Sequence, residues 1–157
     1  SLSKSYNFGV NKSLYPLITK VDADDLLDKN FIEDYYNELN LKNYDLIFGN
    51  LKILDEKMNL LRLKNQPKEL IGSKFKYPVG SGTIYKKSIW KKIGGFDEKL
   101  KYQDDYDFWL KINKIKDIKL GSINESGYKY RMHSQNMSKS ILKKNLSKIY
   151  VFLKNYI

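Results

Sequence analysis

Three carboxylates, Asp22, Asp24 and Asp25, close the short apolar segment Leu17-Ile18-Thr19-Lys20-Val21, with only Ala23 among them. If that segment is a strand, period-two alternation sends Asp22 and Asp24 to one side of the backbone at the strand's exit. That is the end at which α/β folds hold phosphorylated ligands and divalent metals. Two carboxylates converging there make a hard-cation site, and such a cation neutralises a second anionic partner, such as a pyrophosphate, as it departs. The same residues also read as the cap of a helix opening near Asn30, since Asp is favoured before helix starts.

The elements that must hold these groups follow from hydrophobic pattern and turn chemistry. Asn7-Phe8-Gly9 is a turn signal, and Tyr15-Pro16 favours an extended entry into a first strand, Leu17 to Val21. Phe31, Ile32, Tyr35, Tyr36 and Leu39 recur at helical spacing, and the 40–43 region ends that helix. Tyr44 to Gly49 is a strand buried on both faces, because its apolar residues run on continuously. Leu51, Ile53 and Leu54 extend it to a hairpin tip at Asp55-Glu56-Lys57, which leads to Leu60 to Leu63. Gln66 to Tyr77, with Pro67 and Gly72, reads as an exposed basic loop.

Gly80-Ser81-Gly82 introduces a short strand, Thr83 to Tyr85. Ser88 is the expected N-cap of a helix over Ile89 to Ile93, which Gly94-Gly95 terminates. Tyr106 to Lys114 is predicted helical. Ile118 to Ile123 and Tyr128 to Met132 read as closing strands, and Lys139 to Ile157 as a terminal helix. No internal repeat appears.

At 157 residues and 41% hydrophobic, the chain has enough material for one α/β domain with a true core. With no cysteine there is no disulfide framework, thiol nucleophile or thiolate metal site. No stretch approaches a membrane span and no signal-peptide core precedes Asn7, so a soluble, cytoplasmic chain is expected. The formal charge of +11 points to polyanions in general. Because Lys, Asn, Ile and Tyr are abundant throughout, no specific nucleic-acid partner is inferred.

The excess is uneven: from Lys139 to Ile157 there are five lysines and no acid. Leu142, Leu146, Ile149, Leu153 and Ile157 form a stripe along this basic helix. Such a stripe packs into the core by default, or rests on an anionic membrane as a peripheral contact.

Further motifs follow the acidic quartet in order: Gly94-Gly95-Phe96-Asp97, then Asp104-Asp105 opening a helix that carries Trp109, then Tyr130-Arg131-Met132-His133. With Asn7 and Gly9 ahead of them, this succession resembles the family-two glycosyltransferases of the GT-A fold, from Asn7 to about Ser138. The resemblance implies metal-dependent transfer of a sugar from a nucleoside-diphosphate donor, UDP-type, to a glycan or lipid-linked acceptor in surface polysaccharide synthesis. Asp24 would hold Mg or Mn, Asp22 would lie against the ribose or metal-bound water, Asn7 would belong to the donor side, and His133 would complete the metal shell. Asp105 matches the family's general base, and a single base implies inversion. Gly94, Gly95, Asp104 and Trp109 would shape the acceptor pocket.

The resemblance also implies a partial GT-A fold: a Rossmann-like mixed sheet flanked by helices, lacking its first strands, over residues 1–138, followed by the basic amphipathic helix 139–157. The nucleotide-binding βα units that precede the Asn-x-Gly turn in that family have no counterpart here. A homodimer, or association with a chain supplying that half, is therefore expected. Tyr6 stands where the family often has Arg, Lys20 interrupts the apolar strand, and Asp104 replaces a commoner Glu.

Competing readings rest on the same residues. Paired carboxylates also serve glycoside hydrolases, and an inactive glycosyltransferase remnant or a basic polyanion-binding module would explain the charge. A calcium loop over Asp22, Asp24, Asp28 and Glu33 fails, because Leu26 and Leu27 stand where a ligand and the loop's glycine belong. Locally, Asp104, Asp105 and Asp107 suit a helix first turn, Trp109 suits a core position, a lone histidine is often structural, and Gly94-Gly95 suits a helix C-cap.

Overall fold

Over the residues that the computed structural model describes, 1–67, 77–136 and 141–157, the chain runs α1 (Leu2–Lys12), β1 (Leu17–Thr19), β2 (Leu26–Leu27), α2 (Phe31–Leu41), β3 (Leu46–Leu54), β4 (Leu60–Lys64), β5 (Thr83–Lys86), α3 (Lys87–Lys92), α4 (Asp104–Ile112), β6 (Leu120–Arg131) and α5 (Ile141–Tyr156). The strands form one mixed sheet in the order β1-β5-β3-β6-β2. β3 and β6 are parallel, and every other pairing is antiparallel.

β3 organises the sheet. Its first residues, Leu46 to Phe48, pair with β5, while Leu51 to Leu54 pair with β4 on the same side. β6 lines its other side from Leu46 to Leu54, with a register shift between Gly49 and Leu51. Alternation along β3 sorts the core into two layers. Leu46 and Phe48 point into a cluster with Val10 of α1, Ile89 and Trp90 of α3, and Phe108, Trp109 and Ile112 of α4. Ile47, Leu51 and Ile53 point the other way, onto Phe31, Tyr35 and Leu39 of α2. The sheet is thus covered by helices on both faces, the partial α/β architecture expected.

Several expectations give way to the structure. Asn7-Phe8-Gly9 is no turn but the middle of α1, since Ser3 and Val10 on its inner face are buried and Asn7 finds its partners in another part of the chain. The first strand stops at Thr19, leaving Lys20 and Val21 outside it. Lys86, not Ser88, caps α3, and its side chain makes no cap bond. The two closing strands are the two ends of one strand, β6, paired with β3 at Leu120 to Ile123 and at Tyr128 to Arg131, with residues 124–127 looping out of that ladder. Gln66 is buried, its backbone N–H donating to Asn50 Oδ1 at 2.9 Å, so the loop begins anchored. The rest of that loop through residue 76, including Gly72, lies outside the described residues, as do Ser138 and Lys139.

Candidate functional site

The acidic quartet lies in the turn between β1 and β2, so alternation does not govern it. A backbone bond from Asp25 N to the Asp22 carbonyl, 3.0 Å, closes the turn, and the three carboxylates go to three different sets of partners. Asp22 accepts from the Tyr6 hydroxyl at 2.6 Å and from Ser81 Oγ at 3.4 Å. Asp24 Oδ2 lies 2.6 Å from His133 Nε2, with the Asn136 amide 3.4 Å away. Asp25 is buried and accepts from the Tyr128 hydroxyl at 2.8 Å and the Arg131 backbone N–H at 2.9 Å. The expected convergence of Asp22 and Asp24 on one point is therefore corrected: Asp24 converges with His133 instead.

The electrostatics follow from these partners. The hydrogen bond to His133 holds the Asp24 carboxyl below the ordinary carboxylate range. Burial pushes Asp25 up, against the hydrogen bonds it receives. Tyr6 and Tyr128 are raised by burial and by the carboxylates they donate to, so both hydroxyls stay protonated donors.

The second acidic group opens α4. Asp105 is partly buried; desolvation pushes its pKa up, and the neighbouring Asp104 adds to this, while Lys20 acts in the opposite sense. Asp104 Oδ2 is buried with no hydrogen-bond donor, its nearest cation being Lys20 Nζ at 4.0 Å. Lys20 in turn sits over the Tyr6 ring, 4.1 Å from its centroid.

Gly80 and Ser81 join the two acidic groups. A Cβ on Gly80 would stand 3.2 Å from Asp105 Cβ and 3.3 Å from Lys20 Cε, and Ser81 bonds Asp22. A chain of contacts thus runs from Asp105 and Asp104 through Lys20, Tyr6 and Ser81 to Asp22, and the same turn carries Asp24, which bonds His133 separately.

Other expected site residues lie elsewhere. Asn7 bonds Phe96 and Glu98 and accepts from Trp90 Nε1, so its amide is engaged by the Gly94-Gly95-Phe96 turn and not by the acidic cluster. Trp109 is 1% exposed, with Phe48 and Phe108 edge-on to it at 5.9 and 6.0 Å. Its rings have no free face for a sugar, which corrects the expected acceptor contact. Gly94 and Gly95 end α3 with φ of +75° and +74°. A Cβ on Gly95 would meet Asn7 Oδ1 at 2.9 Å, whereas Gly94 faces open space.

Tyr6, Ser81, Tyr128 and Asn136 belong to the site and were not singled out as site residues from the sequence. Asn136 also fixes the histidine loop, accepting from His133 N at 2.5 Å and donating to the Arg131 carbonyl at 3.2 Å. A cavity of about 600 Å³ opens beside this loop, lined by Asp55, Glu56, Asn59, Met132 and His133 among others.

The mixed sheet covered by helices on both faces, with an acidic turn after β1, is an α/β fold that comparison with known proteins places. Solved structures of similar fold include S. aureus TarS 1-349 in complex with UDP-GlcNAc, with a TM-score of 0.66 and 15% identity over 88% of this chain and 41% of that one. The same protein in complex with UDP matches at TM-score 0.66 and 13% identity over 98% of this chain and 44% of that one.

In sequence the chain is 32% identical to the uncharacterized glycosyltransferase MJ1057 of Methanocaldococcus jannaschii, over 97% of this chain and 54% of the relative. It is 26% identical to the O-antigen biosynthesis glycosyltransferase WbnJ of Escherichia coli, over 90% of this chain and 57% of the relative. No family model matches the chain. It spans about half the length of these relatives. Over part of their length the chain is similar to these glycosyltransferases in sequence and in fold.

Proposed function

We propose that the chain is the part of a sugar-nucleotide glycosyltransferase that holds the metal and the general base. It would act in inverting transfer from a UDP-type donor to an acceptor hydroxyl of a glycan or lipid-linked carrier, at the cytoplasmic side of a surface polysaccharide pathway. The observation that carries this reading is the chain of contacts from Asp105 through Lys20, Tyr6 and Ser81 to Asp22, two residues from the Asp24 that bonds His133. The UDP and UDP-GlcNAc complexes of structural neighbours support the donor class, and the O-antigen relative supports the pathway.

Asp24 and His133 suit a divalent ion such as Mg or Mn. Their 2.6 Å contact is a hydrogen bond that an incoming ion would have to open, each group then offering one ligand atom, and a nucleotide-borne ion needs only one or two protein ligands beside its phosphates and waters. Among the described residues no cluster of three or more His, Cys, Asp or Glu surrounds one point. When bound, the ion would offset the charge of the departing diphosphate. Asp22, held by Tyr6 and Ser81, is placed to meet donor hydroxyls or bound water.

Asp105 would take the proton from the acceptor hydroxyl. Desolvation and the nearby Asp104 raise its proton affinity toward the pH at which it must act, which is what a general base requires. Gly94, with open space around it, is the acceptor-side position of the α3–α4 turn that remains accessible.

β1 is the terminal strand of the sheet, and Leu14, Tyr15 and Val21 beside it are exposed. That edge suits further nucleotide-binding βα units, supplied by a partner polypeptide or completed in a homodimer.

Isothermal titration with Mn and UDP tests the reading. Metal-dependent UDP binding that Asp24→Ala abolishes in a folded chain would support it. Absence of binding by the folded chain in the presence of Mn would reduce the chain to a remnant of the fold.

A further inference from the structure

α5 is turned the opposite way from the helix its sequence describes. The stripe expected to pack inward faces out: Leu146, Ile149, Leu153 and Ile157 are 61%, 58%, 45% and 97% exposed, and Tyr150 lies beside them at 54%. The inward face sets Val151 and the half-buried Phe152 against Leu100, Tyr106 and Leu110, with polar anchors on either side. Val151 is its fully buried apolar residue. Around it Ser147 Oγ donates to the Tyr102 carbonyl at 3.2 Å, Asn155 Nδ2 donates to Asp107 at 3.0 Å, and Lys154 pairs with Asp107 at 3.2 Å and with Asp97. Lys148 lies over the Tyr77 and Tyr106 rings, 5.2 and 5.3 Å from their centroids.

Asp107 is wholly buried. Rolling the stripe inward would strip that carboxylate of Lys154 and Asn155, so the polar anchors hold the apolar face in solvent.

We propose that α5 is an interfacial helix that rests this face on an anionic lipid bilayer. Three observations select that occupant. The first is charge: the chain carries +11 and has no acid between Lys139 and Ile157, and Lys143 is exposed on the same helix, which complements anionic headgroups. The second is shape. A stable interface between two chains buries about 800 Å² on each, more than one helix face offers, whereas an interfacial helix needs only that face. The third is composition: Leu and Ile line the middle of the face with Tyr150 and Tyr156 beside them, and tyrosines favour the headgroup level. α5 at 16 residues is too short to cross a bilayer, and no helix among the described residues is long and apolar enough to do so.

The test is co-sedimentation of the full chain with vesicles of phosphatidylcholine alone, or with one-third phosphatidylglycerol, at low and high salt. It is repeated on the double variant Ile149→Ser/Leu153→Ser, whose exposed positions leave the core intact. Salt-sensitive binding to the phosphatidylglycerol vesicles is expected, weakened at least about tenfold in the double variant at unchanged melting temperature.

No sedimentation of the wild type would overturn the proposal. So would equal binding by both proteins, which assigns the attraction to charge alone, or binding that ignores both salt and phosphatidylglycerol. A sizing column showing a wild-type dimer that the double variant dissolves would assign the face to a second copy instead. None of these outcomes depends on whether the chain transfers sugar.

Discussion

The Asn7 side chain forms a two-way bridge to the backbone of Phe96: Oδ1 accepts from the Phe96 N–H at 2.9 Å, and Nδ2 donates to the Phe96 carbonyl at 2.9 Å. An amide paired in this manner imitates a neighbouring strand. It pins the Gly94-Gly95-Phe96 turn to α1, and the turn leads directly toward α4 and Asp105. Trp90 Nε1 adds a third bond to the same oxygen at 3.2 Å.

Asn7→Ala leaves the Phe96 N–H and Trp90 Nε1 without their acceptor. A loss of about 2 kcal/mol is expected, measured by urea unfolding. Asn7→Asp keeps the acceptor but sets a carboxylate against Glu98 and the Phe96 carbonyl, and should destabilise as well.

Gly9→Ala should do the opposite. Gly9 lies inside α1 with ordinary helical backbone, and a Cβ there meets nothing within 4 Å. Removing its excess freedom in the unfolded chain should raise stability by about 0.5–1 kcal/mol, seen as a higher midpoint in thermal melts.

Asp107 and Lys154 should be unequal in their effects. Asp107 is fully buried and ion-paired to Lys111 at 2.7 Å as well as to Lys154. Asp107→Ala should cost about 3 kcal/mol and speed amide exchange across α5. Lys154→Met leaves Lys111 and Asn155 on the carboxylate and removes a half-exposed ammonium, so about 1 kcal/mol or less is expected.

For Asp105 the native state holds its proton more tightly than the unfolded chain, so ionisation costs stability. That cost is absent below the ordinary carboxylate value, grows as pH rises toward the raised native value, and persists above it. Asp105→Asn should be more stable than wild type at neutral pH, the gap closing on acidification. If Asp105 is the base, the variant keeps UDP binding while transfer falls by about 10²–10⁴. A wild type as stable as the variant at every pH would refute the desolvated carboxyl.

Asp24 has the reverse sign. Its depressed pKa contributes stability that is present above the ordinary value and lost as pH falls through the native one. In His133→Gln the Asp24 carboxyl should titrate closer to its ordinary range, as read by carboxyl-carbon NMR. An unmoved titration would show that the 2.6 Å contact does not persist in solution.

The sheet was legible where burial alone decides. The first half of β3, Leu46 to Phe48, shows as an apolar run because both of its faces are covered, and the hairpin to β4 follows from the polar tip at Asp55 to Lys57. The site was legible in kind but not in partnership. Asp24, His133 and Asp105 could be picked out, yet the partners Tyr6, Ser81 and Tyr128 lie 16, 59 and 106 residues from Asp22, and no local pattern connects them.

The acceptor contact that the resemblance implied for Trp109 gives way to the core position that its hydrophobic spacing suited, whereas for the α5 stripe the spacing says which residues share a face but not what that face meets. At α5 the buried Asp107 decided, drawing Lys154 and Asn155 inward at the expense of the leucines.

The parallel ladder between β3 and β6 has a bearing on how the chain is made. β3 is complete at Leu54, but its partner on that side runs from Leu120 to Arg131. A nascent chain therefore exposes that flank of β3 until synthesis has passed Leu120, and pairings of such sequence separation are slow to close. During synthesis the central strand stays open along its β6 flank even after β4 and β5 have paired on the other, so yield in cells should depend on translation rate and holdase chaperones more than on the stability of the finished fold.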